Sequence, residues 1–496
     1  MKNLYSYLFI ALLLVSCTND FEELNTDVKR PDSVDPSFIL TGIESSLMNQ
    51  YVFTSNLFQN ETGTMAQYFV KHQYTNENIY NFRGSMFDSY WSIPYTQIFR
   101  LRQTADIVEN ESPYNLVDQA VINNRLAILK ILEVWTFTQI TDAFGDIPYF
   151  DAVAGGENLT PTYDQQEVIY PELLLTLAQA VDLIDEGADA FGTADVILNS
   201  DMSGWKRFAA SLQLRLGMRI MDANPTLGTS TINEAFANGV IRSNDENITF
   251  MFPKDTHQSP LRRNNGEASW DDVVICKTYT DIVNDRNDPR RRHQMYAWGP
   301  ASEPYRGYPM TDQSFIQLGE GRWDWAFLGW NFRYADERGD GWPHVLIDFA
   351  EINFLKAEAV ERGILAGDAG QLYHDGIRAS LEYWGATEIE ITTYLAEANV
   401  AYDLQVGKTW QEKIGIQKYI AAFPQSAQAW AELRRLNFPK LVAPIKEGQP
   451  LPEADIPVRM PYPNNEVILN ATNTAAAINA IGGANSMNVK VWWDID

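Results

Sequence analysis

Cysteine is nearly absent: Cys17 and Cys276 are the only two in 496 residues. A disulfide framework is therefore excluded as the main support of the fold. The chain must bury a core of its own, and at this length it can. Histidine is scarce as well. His72, His257, His293, His344 and His374 are the full set, and no two stand at close ligand spacing, so no zinc site is expected. Cations are few, with 38 Lys and Arg against 65 Asp and Glu and a net charge of −27. That balance argues against a nucleic-acid partner, which needs a basic face, and against electrostatic docking on anionic lipid. The chain also lacks a Gly-x-Ser-x-Gly elbow, a Gly-rich phosphate loop and an EF-hand calcium loop. No catalytic residue, cofactor or metal ligand is read from it, and the chain is not expected to be an enzyme.

The apolar run at the N-terminus, Leu4 to Ser16, is too short to span a ~30 Å hydrocarbon core as a helix. With Lys2 ahead of it, it has the length of a signal-peptide core. Leu14-Val15-Ser16-Cys17 resembles a bacterial lipobox, in which Cys17 takes the lipid through its thiol. Each buried CH₂ then contributes roughly 0.8 kcal/mol of membrane hold. Asp20-Phe21-Glu22-Glu23 resembles the acidic export signal of some Gram-negative surface lipoproteins. Residues 1–16 are read as a leader, 17–35 as a lipidated tether and 36–496 as one domain on the cell surface.

The rest of the chain reads as mostly α-helix. Apolar residues recur at helical spacing over Asp118–Thr141, which Gly145 and Pro148 end. They do so again over Tyr170–Ala188 and over Ser203–Ala223, with Ser203 as N-cap. Phe349–Leu365 with Ala369–Trp384, and Thr409–Ala422 with Ala427–Leu436, form helix pairs of tetratricopeptide-like character, though without a clean 34-residue period. Asn247–Phe252 and Val489–Trp493 are short strand candidates. Between them, 252–344 breaks the helical pattern and is too aromatic to be disordered; it reads as a loop-rich insertion on the scaffold. In the helix from Phe349, Ile352, Leu355 and Ala359 form the packing stripe, and Glu351, Glu358 and Glu361 fall on a solvated or salt-bridged face. Trp430 and Leu433 should pack, and Arg434 or Arg435 should pair with an acid.

Seven segments now carry a resemblance. They are "FEELNTDVKRP" (21–31), "YWSIPYTQI" (90–98), "TDAFGDIPYFDA" (141–152), "DFAEINFLKAEAVERG" (348–363), "LYHDGIRASLEYWG" (372–385), "IGIQKYIAAFPQSAQAWAELRRLNFPKL" (414–441) and "IPVRMPYPNNEVILN" (456–470). In this order behind a lipobox, they resemble the SusD/RagB family of outer-membrane nutrient-uptake lipoproteins. The resemblance implies a single helical domain with tetratricopeptide-like pairs and no catalytic activity. It also implies a SusC-like TonB-dependent transporter as partner, to which a captured glycan, or in some relatives a peptide, is delivered. Family ligand residues lie outside the shared motifs, so none transfers by position.

Candidates for ligand contact come from composition and loop placement instead. Tyr296, Trp298, Tyr305, Trp323, Trp325 and Trp330 crowd the insertion, and aromatic rings offer flat faces to sugar C–H groups. Arg306, Asn331 and Arg333 could orient a ligand, while part of this aromatic set is expected to form a satellite core. Tyr74 and Arg83 in "QYTNENIYNFRG" (73–84) are the second candidate group. "DPRRRH" (288–293) reads either as an anion site or as a run paired with acids. Four functions stay open: glycan binding, oligopeptide binding, surface glycoside hydrolysis, and a purely structural role beside the transporter.

Overall fold

The structure is a computed structural model that describes residues 35–54, 61–110, 117–155, 158–252, 260, 272–297, 304–329, 342–452 and 456–495. Cys17, the leader and nearly all of the tether lie outside these, as do Trp298, Trp330, Asn331 and Arg333.

The chain opens with helices α1 (Pro36–Thr54) and α2 (Glu61–Met65), then strand β1 (Phe69–Lys71). Helices α3 (Asp88–Glu109), α4 (Gln119–Phe144) and α5 (Gln166–Leu183) follow, then α6 (Met202–Arg219) and α7 (Pro225–Asn238). Strand β2 (Ile248–Phe250) precedes the insertion. The insertion holds β3 (Val273–Ile275), α8 (Lys277–Asn284), β4 (Met295–Ala297) and β5 (Ala326–Leu328), and β6 (His344–Ile347) leaves it. Helices α9 (Phe349–Glu361), α10 (Ala369–Tyr383), α11 (Glu388–Leu395), α12 (Trp410–Ala421) and α13 (Ser426–Leu436) follow, with two short helices, Asn464–Leu469 and Ala471–Ala480, after them. The fold is mostly helical; its hairpins α9–α10 and α12–α13 are the expected pairs, and α6–α7 is a further one. The sheets formed by the described residues have two strands each. No helix among the described residues is long and apolar enough to cross a membrane.

Helix limits follow local chemistry. The Asp118 carboxylate caps α4 at the Ala120 N–H, and Gly145, at φ 80°, ends it. Asp201, rather than Ser203, caps α6: it accepts from the Ser203 N–H, so the helix starts one residue earlier than expected. The helix expected over Tyr170–Ala188 begins at Gln166, whose N–H is bonded to Asp146 Oδ1 at 2.9 Å. It stops at Leu183 because the Asn124 amide captures the backbone of Asp185 and Ala188. Val489–Trp493 forms no strand. The chain turns there and buries Trp493, whose indole N–H donates to Asp142 Oδ1 at 2.9 Å. At the α6–α7 crossing the backbones meet directly: a Cβ on Gly228 would lie 2.8 Å from the Gly217 carbonyl, so only glycine fits.

Of the three α9 acids, Glu361 is exposed and accepts from the Tyr402 hydroxyl at 2.6 Å, while Glu351 and Glu358 are salt-bridged and buried. Glu351 binds Arg215 at 2.6 and 2.8 Å. Glu358, fully buried, binds Arg435 and Arg362. Glu432 on α13 gathers Arg435 (2.7 Å), Lys418 (2.8 Å) and Arg219 (3.1 Å) around one carboxylate. Burial opposes its charge, but Arg435, Lys418 and Arg219 outweigh burial and hold it well below the usual carboxylate range. This ion network welds α4, α6, α9, α12 and α13 at their common centre.

Asp348, the N-cap of α9, accepts from the Glu351 N–H at 2.8 Å. Burial pushes its carboxyl up from 3.8 to about 7. A raised carboxyl pKa means the folded state holds the proton more tightly, so stability declines as pH climbs from about 4 to about 7. Asn caps as well as Asp does and does not titrate. Asp348→Asn should therefore match the wild type at pH 4 and exceed it at pH 8, by roughly 4 kcal/mol at most. Urea unfolding at both pH values checks this, and parallel profiles would refute it.

Candidate functional site

The insertion folds back on the start of the domain. Strand β3 pairs antiparallel with β1, placing Val70 opposite Val274. Tyr308 adds to the far side of β3 through its N–H to the Ile275 carbonyl (2.9 Å), and the Ala326 N–H continues the layer to the Arg306 carbonyl at 2.7 Å. Strands β4 and β5 pair with Tyr296 opposite Phe327. A satellite core forms beneath, built on Val70, Tyr80, Val274, Cys276, Tyr308 and Trp325. Residues 73–84 and the insertion, far apart in sequence, thus share one platform.

Two of the expected ligand aromatics stand out from this platform. Trp323 is 42% exposed, its ring 5.7 Å from Phe327 and under the Arg322 guanidinium at 5.0 Å. Tyr74 is 61% exposed and sits at φ 33°, a left-handed conformation rare for a bulky residue. Such strain clusters at ligand clamps. Tyr296 is half-buried, 5.6 Å from Phe327. The Arg83 side chain is mostly exposed, with Nε 3.2 Å from Glu77. Trp325, by contrast, is 2% exposed: its ring meets the edge of Tyr308 at 4.6 Å and carries Arg306 over its face at 4.3 Å. Arg306 is itself paired with Glu320 at 2.6 Å. Tyr305 is also buried.

The residues beneath the exposed rings had no place in the sequence reading. His72, fully buried, packs on Phe315 at 5.2 Å and lies 6.4 Å from Phe327. Asp272 holds the neighbouring backbone by accepting from the Gln73 N–H at 3.0 Å. The alternation of Val70, His72 and Tyr74 with Lys71 and Gln73 offers a faint signal for them, but a three-residue strand leaves little pattern to read. Cys276 is buried in the satellite core, and burial pushes its thiol up to about 11, out of reach of ready chemistry. No group of three or more His, Cys, Asp or Glu among the described residues is placed to hold a metal ion.

"DPRRRH" resolves as a run paired with acids. Arg290 is fully buried against Asp288, and Arg292 pairs with Glu390.

The described residues thus form helical hairpins that carry a lateral aromatic platform. A family model for SusD-like proteins, described as starch-binding and associating with the outer membrane, matches residues 28–463. The chain belongs to this SusD-like family. A SusD homolog from Parabacteroides distasonis is 26% identical, with a TM-score of 0.79 over 92% of this chain and 97% of that one. A chitin-binding SusD homolog from Flavobacterium johnsoniae is 23% identical, with a TM-score of 0.78 over 92% and 99%. A further structure named as a chitin-binding protein is 24% identical, with a TM-score of 0.79 over 93% and 100%. No curated protein matches the chain.

Proposed function

We propose that this protein is a non-catalytic, lipid-anchored receptor on the cell surface that captures a glycan and passes it to a SusC-like TonB-dependent outer-membrane transporter. Cys17 carries the lipid, and Tyr74, Trp323 and Tyr296 form the sugar-facing surface, with Arg83 at its margin. Trp298 and Trp330, outside the described residues, remain candidates from the sequence. Trp325 and Tyr305 support the surface from below.

One observation carries the reading: Trp323 and Tyr74 expose large rings on a platform whose core packs Tyr80, Tyr308, Trp325 and Phe327 away. A stacking surface of this kind binds by area and orients by hydrogen bonds. The starch-binding description of the family and the chitin-binding relatives support a neutral polysaccharide as the ligand.

The chain lacking its first 17 residues should be retarded in native gels cast with at least one of a panel of polysaccharides, while the same mixtures release no sugar. Released sugar would overturn the non-catalytic reading. Mobility unchanged in every gel, with peptides co-purifying from the native membrane, would replace glycan by oligopeptide.

A further inference from the structure

We infer that the chain carries a second, polar saccharide subsite, in the corner between residues 287–292 and α11. The inference rests on the glycan reading above and adds a contact away from the aromatic platform. A cleft of about 240 Å³ opens there, with Asn287, Arg291, Arg292, Glu390, Thr393 and Glu397 among its lining. Its volume lies below the ~300–1,000 Å³ of a pocket for a drug-sized molecule, which suits a single sugar ring.

The walls are fixed before any ligand arrives. Arg290, buried beneath them, bonds Asp288 at 2.6 and 2.9 Å, and Ser380 and Gln417 at 2.9 Å each. The turn bearing Arg291 and Arg292 is thereby pinned from below. Helix α11 is held by its capping box, in which Thr387 and Glu390 satisfy each other's backbone N–H. Tyr394 of the same helix lies under the Arg290 guanidinium, 5.7 Å from ring to carbon.

Charge selects the ligand class. Arg292 is ion-paired with Glu390, and Glu397 and Arg291 line the same cleft. An anion entering the cleft meets two carboxylates, and a cation meets two guanidinium groups. A neutral ligand that both donates and accepts is repelled by none of them. Hydroxyl groups do this: their oxygens accept from guanidinium N–H groups and their protons go to carboxylate oxygens. The Asn287 amide and the Thr393 hydroxyl provide the same dual capacity. Arg292 lies four residues before Tyr296, so at most ~14 Å of extended chain separates the cleft from the platform. One oligosaccharide can therefore lie on the rings and place a further sugar in the cleft.

The probes are soluble chitin oligomers and malto-oligomers, from disaccharide to hexasaccharide, titrated calorimetrically against the wild type and Thr393→Trp. Thr393 is exposed on α11, so the indole fills the cleft while leaving the ion pairs in place. The wild type should bind long oligomers more tightly than short ones. Thr393→Trp should lose roughly tenfold on the long oligomers, the equivalent of about two net hydrogen bonds, and nothing on the disaccharide. Glu397→Gln should lose less, in the same direction. An unchanged length dependence in Thr393→Trp overturns the subsite alone, as does an equal loss at every length. A wild type that binds no oligomer and is retarded in no polysaccharide gel overturns the glycan reading, and the subsite with it.

Discussion

Replacing Glu432 by glutamine should destabilise the protein by about 3–5 kcal/mol at neutral pH, the range expected when one partner of a buried ion pair is removed. Glu432 is the anion shared by Arg219, Lys418 and Arg435, all of them buried. Arg219 keeps Asp142 and Arg435 keeps Glu358, but Lys418 loses the carboxylate it bonds at 2.8 Å. The amide preserves volume, so the loss reports charge rather than packing. Because Glu432 is held well below its usual 4.5, its contribution is complete above that pH and fades as pH falls below it. The gap between variant and wild type should therefore narrow in acid. Adding Lys418→Met to Glu432→Gln should restore part of the loss, a coupling that a double-mutant cycle measures. A neutral-pH change under ~1 kcal/mol in urea unfolding would show that the network is not what joins these helices.

Trp323→Ala and Trp325→Ala should fail in opposite ways. Trp323 presents its ring to solvent, so truncation should weaken glycan binding by roughly 2 kcal/mol, about 30-fold, as for an aromatic anchor at an interface centre. Its effect on stability should stay within ~0.5 kcal/mol. Trp325 fills the satellite core against Tyr308, and its loss should destabilise the protein by about 3–5 kcal/mol. Affinity in the retardation assay and the midpoint of thermal unfolding separate the two. Full affinity in Trp323→Ala would remove that residue from the site.

This contrast also marks the limit of what the sequence discloses. Helices α4, α6, α9, α10, α12 and α13 were legible because each repeats its apolar residues within one or two turns, and Asp118, Gly145 and Asp348 signal ends locally, whereas α1 and α3 were not read from the sequence. The start of α5 was not, because its cap comes from Asp146, on another segment. The platform was legible only as composition. Two tryptophans separated by one residue look alike in the chain, yet a turn before β5 puts one in water and the other in the core. What places them is the pairing of β1 with β3, some two hundred residues apart, and three-residue strands leave no periodicity to betray it. The buried acids of α9 were placed correctly off the packing stripe, while their burial depended on arginines that reach them from α6 and α13.

Strand β2 enters the insertion and β6 leaves it, and the two pair with Phe250 opposite His344 and Ile248 opposite Ile347. The polypeptide thus departs from and returns to the helical frame at a single clasp. The loops of a segment rooted this way can vary in length while the frame keeps its shape, because the clasp fixes the distance between its ends. This holds provided that the contacts it makes with the frame, β3 with β1 and Arg290 with Ser380 and Gln417, are kept. Chimeras that keep these contacts and splice a relative's segment between Phe250 and His344 should accordingly fold, and should inherit the donor's ligand preference wherever the facing surface of β1 is kept.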